Sequence, residues 1–363
     1  MRLPQPQIFW ALVLGGILKK SIKLIVAIAA TSLVTSVAVT PAAHGATKQK
    51  VCVALDTAGI NDKSFNQSSY DGAKMALSKG YASSIKYWPA KSNADYAPNI
   101  NKMIAEKCTL IVGVGFLLGD AIAVAAKANP NVKFGFVDGW GLGNNVKAIT
   151  YKTDENSFIV GYMAAALSKT GKVGTYGGIP IPTVTIFMEG FANGVAHYNL
   201  MKNKNVQVLG WNTETKTGTF LGGFDDTTKA LQTSISLEQQ GADFIFPVAG
   251  GMQATTAANS QKTKKSSVIW VDAKVMNTGA QYANVVPVSV VKGLGEGVLA
   301  TVKEAYDGKF SSKMYVGTMA NKGVSIALTP AWNNKVSASL KAEIAKLSKD
   351  IAAGNIIALN PVE

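Results

Sequence analysis

The stretch VCVALDTAGINDKSFNQSSYDGAKMA, residues 51–76, decides how the rest of the chain is read. Val51 to Leu55 is a short apolar run that stops at Asp56, and a flexible turn, Thr57-Ala58-Gly59, follows. Asn61 and Asp62 then offer helix N-cap side chains. Phe65, Gly72, Ala73, Ala76 and Leu77 recur with helical period near one face. The pattern is strand, loop, helix. It puts Asp56, Asn61, Asp62, Ser64, Phe65 and Asn66 at the carboxyl end of a parallel strand, where open α/β sheets hold their ligands. A large aromatic beside several polar groups suits a flat, polar ligand. Equally, Phe65 can be a core residue and Asp62 only a cap.

The same alternation continues down the chain. Strand-like runs occur at 85–88, 110–114, 133–137, 148–151, 172–176, 206–211, 244–247, 267–271 and 285–291. Segments of helical period separate most of them: 64–79, 96–106, 119–129, 155–169, 184–202, 226–240, 253–262 and 293–306. Such alternation implies an α/β fold with helices on both faces of parallel sheets. The unit is seen twice, so two lobes are expected. The first is 47–152 plus about 273–310, and the second is 153–272 plus about 311–363.

The first 46 residues read as a targeting segment. Arg2, Lys19, Lys20 and Lys23 are its charges, Leu24 to Thr40 is almost unbroken apolar and small residues, and Ala43-His44-Gly45 suits cleavage near Gly45 or Ala46. An uncut N-terminal anchor is the competing reading. No cysteine lies at the cleavage region, so an exported protein of the periplasm or cell envelope, without a lipoprotein cysteine, is expected. The chain has two cysteines. Cys52 and Cys108 each begin an apolar run. If the two runs are neighbouring parallel strands, both thiols sit at one end of the sheet, and a disulfide or two buried thiols are both open.

The formal net charge is +14. Without the four leader cations about +10 remains, but the lysines are scattered, with no basic run interleaved with aromatics. That pattern excludes nucleic acid as the natural partner and fits retention near anionic lipid or wall polymer. Beyond the leader there is one histidine, His197. A histidine-based metal site is thereby excluded, and a Ser-His-Asp triad would have to use it. The carboxylate pairs Asp154-Glu155 and Asp225-Asp226 precede helical patterns, where capping explains them. The glycine run 113–119 has the wrong spacing for a dinucleotide fingerprint. No enzyme and no cofactor are expected.

The motif DTAGINDKSFNQSSYDGA at 56–73 resembles the opening signature of the basic membrane protein family, the purine-nucleoside-binding components of ABC transporters. Four later segments are similar to that family in the same order: FGFVDG at 134–139, YKTDENSFIVGYMAAALSKTGKVG at 151–174, FMEGFANGV at 187–195 and QQGADFIFPVAGG at 239–251. The resemblance implies a type I periplasmic-binding-protein fold, two parallel-sheet lobes joined by a hinge, with a nucleoside between them and a membrane permease as partner. It implies that Phe65 and Phe224 stack on the base, that Asn66 bonds its edge and that Asp56 is another polar contact from the same lobe. It further implies that Asp138 points at the same cleft, that Gly250 lets backbone approach the sugar, and that Asp272 and Lys292 grip the ribose. A monomer is expected. Two readings stay beside the nucleoside: another small polar solute such as a sugar or modified base, or a ligand sensor feeding a membrane signalling protein. The family often carries a second acid two positions after the Asp272 equivalent, where this chain has Lys274.

Overall fold

The computed structural model describes residues 46–359. The expected leader lies outside them apart from Ala46. Among the described residues no helix is long and apolar enough to cross a membrane.

The chain runs through β1 (Gln49–Leu55), α1 (Phe65–Ser78), β2 (Ala82–Pro89), α2 (Tyr96–Ala105), β3 (Leu110–Val114), α3 (Gly119–Ala128), β4 (Lys133–Val137) and β5 (Val146–Tyr151). It continues through α4 (Thr153–Leu167), β6 (Lys172–Gly177), α5 (Pro182–Lys202), β7 (Gln207–Leu209), β8 (Trp211–Asn212), β9 (Thr217–Gly218), α6 (Thr227–Gln239) and β10 (Phe244–Val248). The remainder is α7 (Gln253–Thr263), β11 (Ser267–Val268), β12 (Trp270–Asp272), α8 (Val275–Thr278), β13 (Val288–Lys292), α9 (Leu294–Tyr306), β14 (Tyr315–Gly317), β15 (Val324–Leu328) and α10 (Ala338–Ala352).

The first lobe is a six-stranded parallel sheet in the order β14-β5-β4-β3-β1-β2. Strand alternation divides its interior into two layers. Val51, Val53 and Leu55 pack under α1 and α9, while Cys52 and Ala54 pack under α2 and α3. Covered on both faces, β3 is buried at every position, which is why it reads as an unbroken apolar run. Gly72 lets α1 lie against α9: a Cβ there would come within 2.4 Å of the Gly295 carbonyl oxygen. The order reverses between β1 and β3, so the loops after these two strands diverge and open a crevice at their carboxyl ends.

The second lobe repeats the plan. Its sheets run β11-β10-β6-β7 and β12-β13-β15, with β15 antiparallel. They are joined where the strand 267–272 breaks at Ile269, whose N–H still donates to Ile245 O at 3.0 Å. The strands pack against α4, α5 and α10 on one side, and α6 contributes Ala230 and Leu237 to a separate cluster. α4 is buried all round from Thr153 to Ala165, which accounts for its weakly amphipathic sequence.

Three segments join the lobes: β5 into α4, β13 into α9, and β14 into β15. They are tied together where they cross. Lys152 N donates to Gly317 O (2.8 Å), Gly293 N to Gly323 O (2.8 Å) and Tyr151 OH to Gly293 O (2.9 Å). Asn156 Nδ2 donates to the carbonyls of Val291 and Ser325 at 3.0 and 2.9 Å. The lobe boundary expected near 273 moves to this crossing. β13 pairs with β12 and stays in the second lobe, so the return to the first begins at α9. Likewise β14, beyond the expected end of that return at 310, pairs with β5 and completes the first sheet.

Cys52 and Cys108 form a disulfide, with Cα atoms 6.0 Å apart. Of the two readings left open by the sequence, the bridge is the one the fold adopts: β1 and β3 are adjacent parallel strands.

Candidate functional site

A cavity enclosing about 710 Å³, part of it open to solvent, lies between the lobes at the carboxyl ends of their strands. From the first lobe Asp56, Phe65, Tyr96, Phe116 and Asp138 line it, and from the second Phe187, Phe224, Gly250, Asp272 and Lys292.

The loop after β1 is built around two carboxylates. Asp62 Oδ1 accepts from the N–H groups of Ser64 and Gln67, both at 3.0 Å, and Oδ2 from Asn66 N at 2.7 Å. It therefore satisfies the free amides of the first turn of α1, although Ser64 is the residue at the N-cap position. Burial pushes the Asp62 carboxyl up to about 7 against these three donors. Asp56 Oδ1 accepts from Ala58 N at 3.0 Å and from Asn66 Nδ2 at 2.6 Å. Its Oδ2 faces Gly115, where a Cβ would stand 3.2 Å away. Burial raises the Asp56 pKa and the Asn66 bond opposes the rise.

Asn66 stands apart from the other expected site residues. The resemblance makes it a base-edge partner, but its side chain is fully buried and does not line the cavity. It faces back into the turn, donating to Asp56 and to Gly59 O at 3.0 Å. Its position in the first turn of α1, one residue past Phe65, points it inward while Phe65 faces the cleft.

Asp138 directly follows β4 and Asp272 ends β12, and both have left-handed backbone, with φ of 58° and 65°. Aspartate tolerates that region better than most residues, and at a strand end it turns the carboxylate toward the cleft. Lys292 Nζ lies 2.7 Å from Asp138 Oδ2, with both side chains buried. Three rings surround the ammonium: the centroids of Phe65, Tyr151 and Phe187 are 5.0, 5.3 and 5.5 Å from Nζ, within cation–π range. Asp272 Oδ2 accepts from Ser64 Oγ across the cleft at 2.6 Å. Burial raises the pKa of both carboxylates, and the Lys292 charge opposes the rise. Gln253 fixes the backbone beside Asp272, accepting from Val271 N at 2.6 Å and donating to Val271 O at 3.3 Å.

Phe65 packs on the first lobe's core and Phe224 on the second's, so the two rings enter the cavity from opposite lobes. Gly178 makes room for Phe224: a Cβ there would fall 2.2 Å from its ring. Gly250 lines the cavity with φ of 53° and open space where a side chain would be. Seven of the eight expected site residues thus share one cavity, and Asn66 stands behind it.

The sequence reading missed Tyr96, Phe116 and Phe187 as lining residues. Phe116 was open to the argument that found Asp56, since it follows the end of β3; the glycines around it drew attention to a nucleotide motif instead. Phe187 carries no such signal, because an apolar residue in the first turns of a buried helix looks like core.

The residues considered for enzyme chemistry lie elsewhere. His197 sits on α5 against the rings of Phe158 and Tyr162, at 5.3 and 6.0 Å, and burial lowers its pKa. Asp154 and Glu155 occupy the first turn of α4, and Asp226 caps α6 by accepting from Lys229 N at 2.9 Å.

Known proteins resemble this chain over most of its described length. The Bmp family model, described as ABC transporter substrate-binding protein PnrA-like, matches residues 48–357. The ABC transporter nucleoside-binding protein BmpA of Lactococcus lactis subsp. cremoris is 29% identical over 330 residues, covering 85% of this chain and 89% of its own. The CD4+ T-cell-stimulating antigen of Listeria monocytogenes is 30% identical over 327 residues, covering 84% and 87%. A relative from Pyrococcus abyssi is named a lipoprotein, whereas both cysteines of this chain are joined in the disulfide. Among solved structures, an ABC transporter solute-binding protein from Aeropyrum pernix K1 superposes with a TM-score of 0.74 at 22% identity, covering 85% of this chain and 92% of that one. The family model and the Lactococcus relative are both described as binding proteins, and this chain belongs to the Bmp family of PnrA-like ABC transporter substrate-binding proteins.

Proposed function

We propose that this substrate-binding protein captures a purine nucleoside outside the cytoplasm and delivers it to a membrane ABC permease, acting as a monomer. The observation that carries the reading is the convergence, in one interlobe cavity, of Phe65 and Phe224 from opposite lobes with Asp272 and the Asp138–Lys292 pair. The two rings would sandwich a flat heterocycle, and base–aromatic stacking contributes about 1–3 kcal/mol per base in nucleic-acid systems. A ribose offers vicinal hydroxyl donors, which a carboxylate can accept, while the ammonium donates to a further oxygen. The name of the Lactococcus relative, a nucleoside-binding protein, supports the same ligand class. The disulfide supports an oxidising compartment.

In this mechanism the ligand bridges the lobes and shifts the population toward the closed form, because only the closed form contacts it from both sides. Closure hides the ligand from water and brings surfaces of both lobes together for the permease. No bond is made or broken.

The test is the small molecule released when protein purified from its native host is denatured. Mass spectrometry should find a purine nucleoside. A sugar in its place would replace the proposed ligand class.

A further inference from the structure

Resting on the closure step proposed above, though not on the identity of the ligand, we propose that Ser64, Gln253 and Gly251 form a latch between the lobes. The latch is made by protein atoms outside the cavity and favours the closed form before any ligand is bound. Ser64 belongs to the loop between β1 and α1 of the first lobe. Its Oγ donates to Asp272 Oδ2 at 2.6 Å and accepts from Gln253 Nε2 at 3.3 Å. Both partners belong to the second lobe, at the end of β12 and the start of α7. Ser64 and Gln253 are fully buried, and neither lines the cavity.

The place of Ser64 in the chain makes this use of its hydroxyl unusual. At a helix N-cap a serine oxygen ordinarily accepts from amides of its own helix. Ser64 makes no such bond, because the Asp62 carboxylate takes those amides instead. The Ser64 hydroxyl is left for the opposite lobe. Gly251, on the loop after β10, marks the same contact by shape. A Cβ there would fall 2.8 Å from the Asp62 carbonyl oxygen, and the next two nearest atoms, both at 3.6 Å, also belong to Asp62. Gly251 does not have left-handed backbone, so its own conformation does not demand glycine. What excludes a side chain at 251 is the first lobe.

These contacts exist only when the lobes meet, and none of them needs a ligand atom. A hydrogen bond to a carboxylate therefore favours closure directly. Apparent affinity scales with the fraction of protein in the binding-competent form, so the latch tunes affinity without touching ligand. Ser64 acts through Asp272 and through the lobes, as a positioning residue.

The experiment is small-angle scattering of the ligand-free wild type, Ser64→Ala and Gly251→Ala, followed by stopped-flow binding of inosine to each. Both variants should scatter as more open particles, with a larger radius of gyration than the wild type. Both should bind inosine about tenfold or more weakly, with the loss in faster dissociation rather than slower association. Gly251→Ala removes no hydrogen bond, so it separates closure from any effect of the lost hydroxyl on Asp272 or on folding. Scattering that is the same in the wild type and both variants would overturn the latch, as would unchanged inosine affinity in Gly251→Ala. If the wild type itself does not bind inosine, the nucleoside reading fails, and the ligand-free scattering decides the latch alone.

Discussion

Lys292 and Asp138 are contributed by different lobes, yet Nζ of the one lies 2.7 Å from Oδ2 of the other, and both side chains are buried. Removing one partner leaves an uncompensated charge in the interior. Lys292→Met should therefore destabilise the protein by about 3–5 kcal/mol in chemical denaturation. Adding Asp138→Asn to that variant should restore part of the loss, because the stranded carboxylate is gone. An unchanged midpoint in the single variant would mean that the pair is not buried in solution.

Phe224 can be tested without touching it. A methyl group at Gly178 would fall 2.2 Å from the Phe224 ring, so Gly178→Ala must displace the ring or the strand end beside it. Nucleoside affinity should drop about fivefold or more, the lower end of a stacking contribution. Equal affinity in titration calorimetry would remove Phe224 from the ligand contacts.

The Asp62 carboxyl predicts a pH effect. Its value in the folded chain, about 7, lies above the ordinary 3.8. Between those two values the folded state keeps a proton that the unfolded state has released. Stability from this group is thus present at low pH and declines as pH rises through that window. Denaturation measured from about pH 4 to 8 should show a shallower decline for Asp62→Asn than for wild type, and parallel curves would refute the assignment.

The disulfide closes a loop with a sequence separation of 56 residues. Constraint of the unfolded chain over that length is worth about 4 kcal/mol. A Cys52→Ala, Cys108→Ala double variant should lose stability on that scale. Its ligand affinity should stay within about twofold, because Cys108 precedes β3 whereas the cavity lies at the strands' carboxyl ends. Affinity that collapses in a folded double variant would couple the bridge to the site.

The first lobe was legible in sequence because strands covered on both faces must be apolar throughout. The ranges read for β3 and β4 match the structure residue for residue. The site was legible through one rule, that polar and aromatic residues just past such strands face the cleft; Asp56, Asp138 and Asp272 all obey it. The rule fails within helices. Asn66 and Phe65 are adjacent, and only the rotation of α1 decides which one faces the cavity. The rule also says nothing about where the chain crosses between lobes. β13 reads alike whichever sheet it joins, and its pairing with β12 is settled by tertiary contacts. Between 307 and 363 the regular strand–helix alternation fades, although Ser337 and the spacing of Leu340, Ile344, Leu347 and Ile351 signal a capped helix.

The central claim is that a flat base is held between rings while its sugar is gripped by charge. Titration calorimetry of wild-type protein and Phe65→Ala with inosine and with free ribose tests it most directly. The wild type should bind inosine, a folded Phe65→Ala should lose about 1–3 kcal/mol of that binding, and ribose alone should bind much more weakly. Ribose binding as tightly as inosine, or inosine affinity indifferent to Phe65, would contradict it.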